Sequence, residues 1–122
     1  MTATLSNITF DCADAATLAG FWSQVLGRPL STSPAPSEYF ASIGEPGHDP
    51  ADAPRWFFLK VPEPKPATKN RVHVDLATED REVEVERLVA LGATRVDDQD
   101  ELGLRWTVLR DPEGNEFCVA GP

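Results

Sequence analysis

His73 and Asp75 stand two residues apart in the stretch Val72-His73-Val74-Asp75-Leu76, where apolar and polar residues alternate. Side chains two apart on a strand project from the same face. An imidazole would therefore lie beside a carboxylate. Such a pair can move a proton, with the imidazole as general base and the carboxylate orienting its ring. The stretch Asn7-Ile8-Thr9-Phe10-Asp11-Cys12 alternates in the same way and sets Asn7, Thr9 and Asp11 on one face. Asp11 and Asp75 are thus the acids of two similar strands. One reading makes them a carboxylate pair, one with a raised pKa, that serves His73 in acid–base work. The other makes them a polar network that fixes how two halves dock.

Glu116 shares strand parity with Cys118 and could add a third carboxylate. Nothing adjacent in sequence lowers the pKa of Cys118. The two cysteines, Cys12 and Cys118, belong to no C-x-x-C pair and read as free, half-buried thiols. With only His48 and His73, a multi-histidine metal site would need both. His48 sits in a Gly/Pro/Asp loop and reads as solvated. His73, Cys118 and Asp75 or Asp11 would be an acceptable zinc set if they converged. The expectation is nevertheless no metal and no cofactor. His73 is read as an imidazole lining a cavity, hydrogen-bonded to Asp11, Asp75 or Glu116. Trp106 is the aromatic residue singled out to stack on a ligand, while Tyr39, Trp56, Phe57 and Phe58 read mostly as core. Lys60, Lys65, Lys69 and Arg71 read as a solvated basic patch. Gly44-Glu45-Pro46-Gly47 lacks the Lys-Ser/Thr of a nucleotide loop, and no serine sits in a nucleophile elbow.

These residues need elements to hold them. Residues 5–12 read as a strand, with Ile8, Phe10 and Cys12 turned to the core. Asp14 caps a helix carrying Leu18, Phe21, Trp22, Val25 and Leu26, which Gly27 ends. Strands are expected near Pro29–Thr32, Tyr39–Ile43 and Trp56–Val61, with a loop over 44–54. A Pro/Lys-rich segment, 62–70, reads as an extended, semi-rigid linker. The pattern then restarts with a strand carrying Val72, Val74 and Leu76. Asp80 caps a helix with Val85, Leu88 and Val89, and Gly92 stops it. Strands follow at Thr94–Val96, Arg105–Leu109 and Glu116–Ala120, the last two joined by the turn Asp111-Pro112-Glu113-Gly114-Asn115. Asn7 and His73, and likewise Asp14 and Asp80, are 66 residues apart. The chain is a repeat of pattern more than of letters.

The fold class is therefore α+β, two βαβββ modules in a single domain over 1–122: one about 1–62, a linker 62–70 and one about 71–122. Neither half is large enough to bury its own sheet. A small domain does not bury Asn7, Thr9, Asp11, His73 and Asp75 without partners, so their face is open to water or lines a cavity. The chain of 122 residues carries a net charge of −9, from 20 acids and 11 bases. That charge repels nucleic-acid backbones and anionic lipid, and suits a cationic ligand. No apolar run is long enough to cross a bilayer, and no signal sequence opens the chain, so a cytoplasmic location is expected.

Asn7-Ile8-Thr9-Phe10-Asp11-Cys12-Ala13-Asp14, Phe21-Trp22 and Leu26-Gly27 resemble the opening of the vicinal oxygen chelate superfamily, which includes glyoxalase I, bleomycin-resistance proteins and extradiol dioxygenases. His73-Val74-Asp75-Leu76, Leu91-Gly92-Ala93, Trp106 and Asp111-Pro112-Glu113-Gly114-Asn115-Glu116-Phe117-Cys118-Val119 resemble its closing module. The resemblance is nearest to an uncharacterised glyoxalase-like branch. It implies curved sheets around a central cavity, and often a homodimer. Metal-dependent members use four ligands, usually His, Glu, His and Glu. Carried over, these fall on Asn7, Leu59, His73 and Cys118, of which only His73 matches. The resemblance thus implies a metal-independent protein holding a small organic molecule between its modules, with drug sequestration as one version. Asn7, Thr9, Leu59, Trp106, Glu116 and Cys118 would line the site. The alternative is a lyase, isomerase or hydrolase with His73, Asp11 and Asp75 as acid–base groups. A metal-dependent glyoxalase or dioxygenase ranks third.

Overall fold

Unit 1 opens with β1 (Asn7–Cys12), followed by α1 (Ala15–Leu26), β2 (Phe40–Ile43) and β3 (Arg55–Lys60). Unit 2 holds β4 (Asp75–Ala77), α2 (Arg81–Leu91), β5 (Thr94–Glu101), β6 (Leu104–Arg110) and β7 (Glu116–Ala120). In this computed structural model residues 2–45 and 54–122 are described. His48, and with it most of the expected 44–54 loop, lies outside the described residues. The chain divides into two compact units, Met1–Pro64 and Lys65–Pro122.

The sheet of unit 1 has the order β1-β3-β2, with β1 parallel and β2 antiparallel to β3. The strand expected at Pro29–Thr32 shrinks to one bridge, Leu30 to Ile43. Prolines at 29, 34 and 36 supply no amide for a longer ladder. α1 begins where the Asp14 carboxylate accepts from the Thr17 amide, and it ends at Gly27 in the left-handed conformation. Its apolar stripe, with Leu18 and Trp22 wholly buried, packs on the sheet face carrying Phe10, Trp56 and Phe58. Those rings stack and tilt against one another and form the core of this unit.

The sheet of unit 2 has the order β4-β7-β6-β5, with β4 parallel to β7 and the other pairs antiparallel. α2 starts on the Asp80 cap, with Glu82 and Glu84 favourably placed in its first turn. It packs across β5, β6 and β7, over Thr107, Leu109, Phe117 and Val119, all fully buried. Val85 and Leu88 are its buried residues, whereas Val89 is exposed, so the expected stripe is narrower. Val72, expected in the core, is also exposed because β4 begins only at Asp75. β5 runs to Glu101, well past the expected Val96. Its register with β6 is set by a two-residue turn at Leu102 and Gly103, both with positive φ, the geometry of a tight hairpin. The Asp111–Asn115 turn is closed by the Asp111 carboxylate, which accepts from the Glu113 and Asn115 amides and the Asn115 side chain.

The segment read as an extended linker folds against unit 2. Lys65 donates to the carbonyls of Pro66 and Thr68 and pairs with Glu116 at 3.0 Å. The Asn70 amide donates to Glu116, and its side chain donates to Asn115.

Candidate functional site

Strand alternation divides the second sheet into a helix-covered face and an open one. Phe117 and Val119 point to the helix side, so Cys118 and Ala120 point to the other. Trp106 and Val108 on β6 alternate with buried Thr107 and Leu109 and share that open face. A pocket of about 1120 Å³ lies there, lined among others by Trp106, Val108, Ala120 and Leu104. Its wall is mostly apolar, and every lining residue belongs to unit 2. Polar groups gather at two sides. Lys69, His73, Asp75 and Cys118 stand by the β4 edge, and Asp100 pairs with Arg105 at 3.3 Å by the β5 edge.

The first group is set by register. β4 and β7 run parallel with Asp75 opposite Cys118, and the Cys118 amide donates to the Val74 carbonyl. His73 lies just before β4, and its Nε2 stands 3.4 Å from Asp75 Oδ1. One ligating atom from each of His73, Asp75 and Cys118 lies within 4.8 Å of the other two. His73 and Asp75 are partly open to solvent and Cys118 is buried. Burial first, then the Asp75 carboxylate, pushes the Cys118 thiol above its usual pKa, with Lys69 pulling the other way. The sulfur is therefore a protonated thiol at neutral pH, poorly suited to resting nucleophilic duty.

Glu116 does not line this pocket, contrary to expectation. Only 7% exposed, it is occupied by Lys65 and the Asn70 amide. Burial would raise its pKa, but the Asn70 amide and Lys65 outweigh that and hold it below the usual carboxylate value. Of the residues read as a solvated basic patch, Lys65 is instead half-buried against Glu116, while Lys69 is exposed and lines the pocket. The roles of Lys65, Lys69 and Asn70 left no local signal, because the bonds of Lys65 and Asn70 to Glu116 span almost half the chain.

Asn7, Thr9 and Asp11 lie on unit 1, with Leu59, on the sheet face opposite α1. The Asn7 amide donates to the Thr9 hydroxyl at 2.9 Å. Asp11 is exposed and Leu59 is 39% exposed. Leu59 is not the counterpart of Cys118. Thr9 stands 66 residues before Asp75, and Thr9 pairs with Phe57 as Asp75 pairs with Cys118. The four-ligand set of the metal-dependent relatives thus falls on Asn7, Phe57, His73 and Cys118. A phenyl ring offers no donor and a primary amide only a weak one. These residues do not fit that metal.

A family model described as a glyoxalase-like domain matches residues 7–120. No curated protein matches the chain. Among solved structures, a glyoxalase/bleomycin resistance protein/dioxygenase family enzyme from Burkholderia phytofirmans PsJN is 19% identical with a TM-score of 0.75, and the match covers 98% of each chain. The fosfomycin resistance protein FosX from Listeria monocytogenes is 15% identical with a TM-score of 0.71, covering 100% of this chain and 95% of that one. A bleomycin-binding protein from Streptomyces verticillus, complexed with copper(II)-bleomycin, is 15% identical with a TM-score of 0.61, covering 100% and 99%. At these identities the likeness is one of fold.

Proposed function

Because the chain belongs to the glyoxalase-like domain family of the vicinal oxygen chelate superfamily, we propose that it binds a small organic molecule on the open face of the second sheet. The observation that carries this reading is the pocket itself. At about 1120 Å³ it is slightly larger than the roughly 300–1,000 Å³ of ordinary small-molecule sites, and so has room for such a ligand. An apolar wall with a few polar groups at its edges is the composition such sites use: hydrocarbon for affinity, polar groups for orientation. Trp106 offers a ring face for stacking. The relatives that bind bleomycin or confer fosfomycin resistance support the reading by fold.

The test is a thermal-shift screen of small aromatic and amphipathic compounds, since a ligand of the native state raises Tm by mass action. Hits should weaken about tenfold in Trp106→Ala, the equivalent of a lost stacking contact of about 1.5 kcal/mol. A screen without hits, or hits indifferent to that substitution, overturns the proposal.

One observation favours a second reading. His73 Nε2 stands against Asp75 Oδ1, which leaves Nδ1 to meet a substrate. An acid–base enzyme would use Nδ1 to take a proton while Asp75 orients the ring. His73→Ala then abolishes turnover and retains affinity, whereas a pure binder shows no turnover to lose.

A further inference from the structure

We propose that His73, Asp75 and Cys118 form a three-donor site for one zinc-class divalent ion, built by the second unit alone, with a fourth position open to the pocket. The site extends the reading above by giving the polar end of that pocket a specific task, and it departs from the expectation that the chain is metal-independent. It shares the His73 and Cys118 positions with the four-ligand arrangement of the metal-dependent relatives but takes its third donor from Asp75, because Asn7 and Phe57 do not serve as ligands.

The donor types come first. Imidazole, carboxylate and thiolate together suit zinc, cobalt or similar ions rather than magnesium or calcium, which prefer oxygen. Geometry comes second. The His73-to-Asp75 distance of 3.4 Å is close to the edge of a zinc tetrahedron, about 3.3 Å for bonds near 2.0–2.1 Å. All three ligating atoms lie within 4.8 Å of one another, so small rotamer changes bring them onto one centre. The backbone comes third. Asp75 and Cys118 are paired residues of a parallel ladder, and His73 is two residues upstream, so the set is held by the sheet. Metal binding displaces the thiol proton to solvent, leaving thiolate as ligand. Lys69 lines the same pocket, and its charge opposes a cation there. Three protein ligands and one open position is the pattern of zinc sites that meet exogenous molecules. The organic ligand would then carry an oxygen or nitrogen donor for that position.

The test is calorimetric titration of chelator-treated full chain with zinc, and with cobalt as a spectroscopic probe. One ion per chain and a thiolate-to-cobalt charge-transfer band in the near ultraviolet are expected. His73→Ala should weaken binding by more than about 100-fold, beyond the cost of losing an outer-shell partner, and Cys118→Ser should remove the band. Asp75→Asn and His73→Ala alter partly exposed residues, so the test survives if Cys118→Ser fails to fold. Weak, multiple binding unchanged in these variants, or a cobalt spectrum without the thiolate band, overturns the site. Trp106→Ala should keep full zinc affinity. A chain that ignores zinc yet binds screening hits through Trp106 overturns this inference and leaves the proposed function standing. Stoichiometric zinc with no organic hits does the reverse.

Discussion

The two units repeat one pattern and use it for different ends. In unit 1 the large rings Phe10, Trp22, Trp56 and Phe58 meet beneath α1, which buries six residues. In unit 2 the corresponding helix buries only Val85 and Leu88, and Trp106 stands on the opposite face, in a pocket wall. The polar positions diverge as well. On β1 the Asn7 amide turns to Thr9, and the counterpart of Cys118 is Phe57. On β4 and its approach, His73 and Asp75 converge with Cys118. A repeated backbone therefore fixes where side chains point, and residue identity alone decides which half gains chemistry.

The largest expected effect breaks this comparison from the structural side. Trp22→Ala removes a fully buried ring from the aromatic core and should cost about 3–5 kcal/mol. His73→Ala, on the open face of the other unit, should cost under about 0.5 kcal/mol. Urea unfolding followed by circular dichroism measures both. A His73→Ala cost approaching that of Trp22→Ala would make His73 a core residue, not a site residue.

Glu116 sharpens the comparison next, because unit 2 adds to its modest apolar helix an ionic clamp from buried Glu116 to Lys65 and the Asn70 amide. Glu116→Gln should cost about 1–3 kcal/mol at neutral pH, the range for losing charge-assisted bonds at a buried site. The pH dependence has a definite sign. The folded carboxyl titrates below its unfolded value of 4.5, so its contribution is full above that pH and is lost as pH falls through the lower folded value. The stability gap between the native chain and Glu116→Gln should therefore be flat from pH 7 to about 5 and narrow toward pH 3. A gap that widens on acidification would mean that the carboxyl is not stabilised as an anion.

How much of this was legible in the letters follows from the range of the interactions. Asp14, Gly27 and Asp80 announce the helices because capping acts within one turn. The Asp111–Asn115 turn is equally local. The correspondence of Asn7 with His73 showed the repeat, whereas the common face of Trp106 and Cys118 rests on the β6–β7 register. What escaped were pairings between distant segments. Lys65 and Asn70 looked like linker residues because nothing near them points to Glu116. Glu116 was assigned to the site by parity, yet the half-buried Lys65 claims it. Leu59 was misplaced by two residues because only the ladder register counts across the intervening loop. The convergence of His73, Asp75 and Cys118 depends on parallel pairing of β4 with β7, which no local pattern specifies.

β5 is the remaining surprise, and it gives the smallest of these effects. Asp97-Asp98-Gln99-Asp100-Glu101 is a poor strand by composition, yet it pairs with β6 along its length. The two-residue turn holds it there, although Leu102 adopts φ 52° with its side chain fully exposed. A left-handed backbone costs a leucine more than it costs asparagine, whose short polar side chain tolerates that region. Leu102→Asn creates the Asn-Gly pair that such hairpins favour and removes no packing. It should stabilise unit 2 by about 0.5–1 kcal/mol. Because Gly103 and Leu104 line the pocket, the gain should be local. Amide exchange in β5 and β6 should slow while exchange in β1 and β3 is unchanged. Equal slowing in both sheets would show that the units open as one, and that the division of labour drawn between them has no counterpart in their stability.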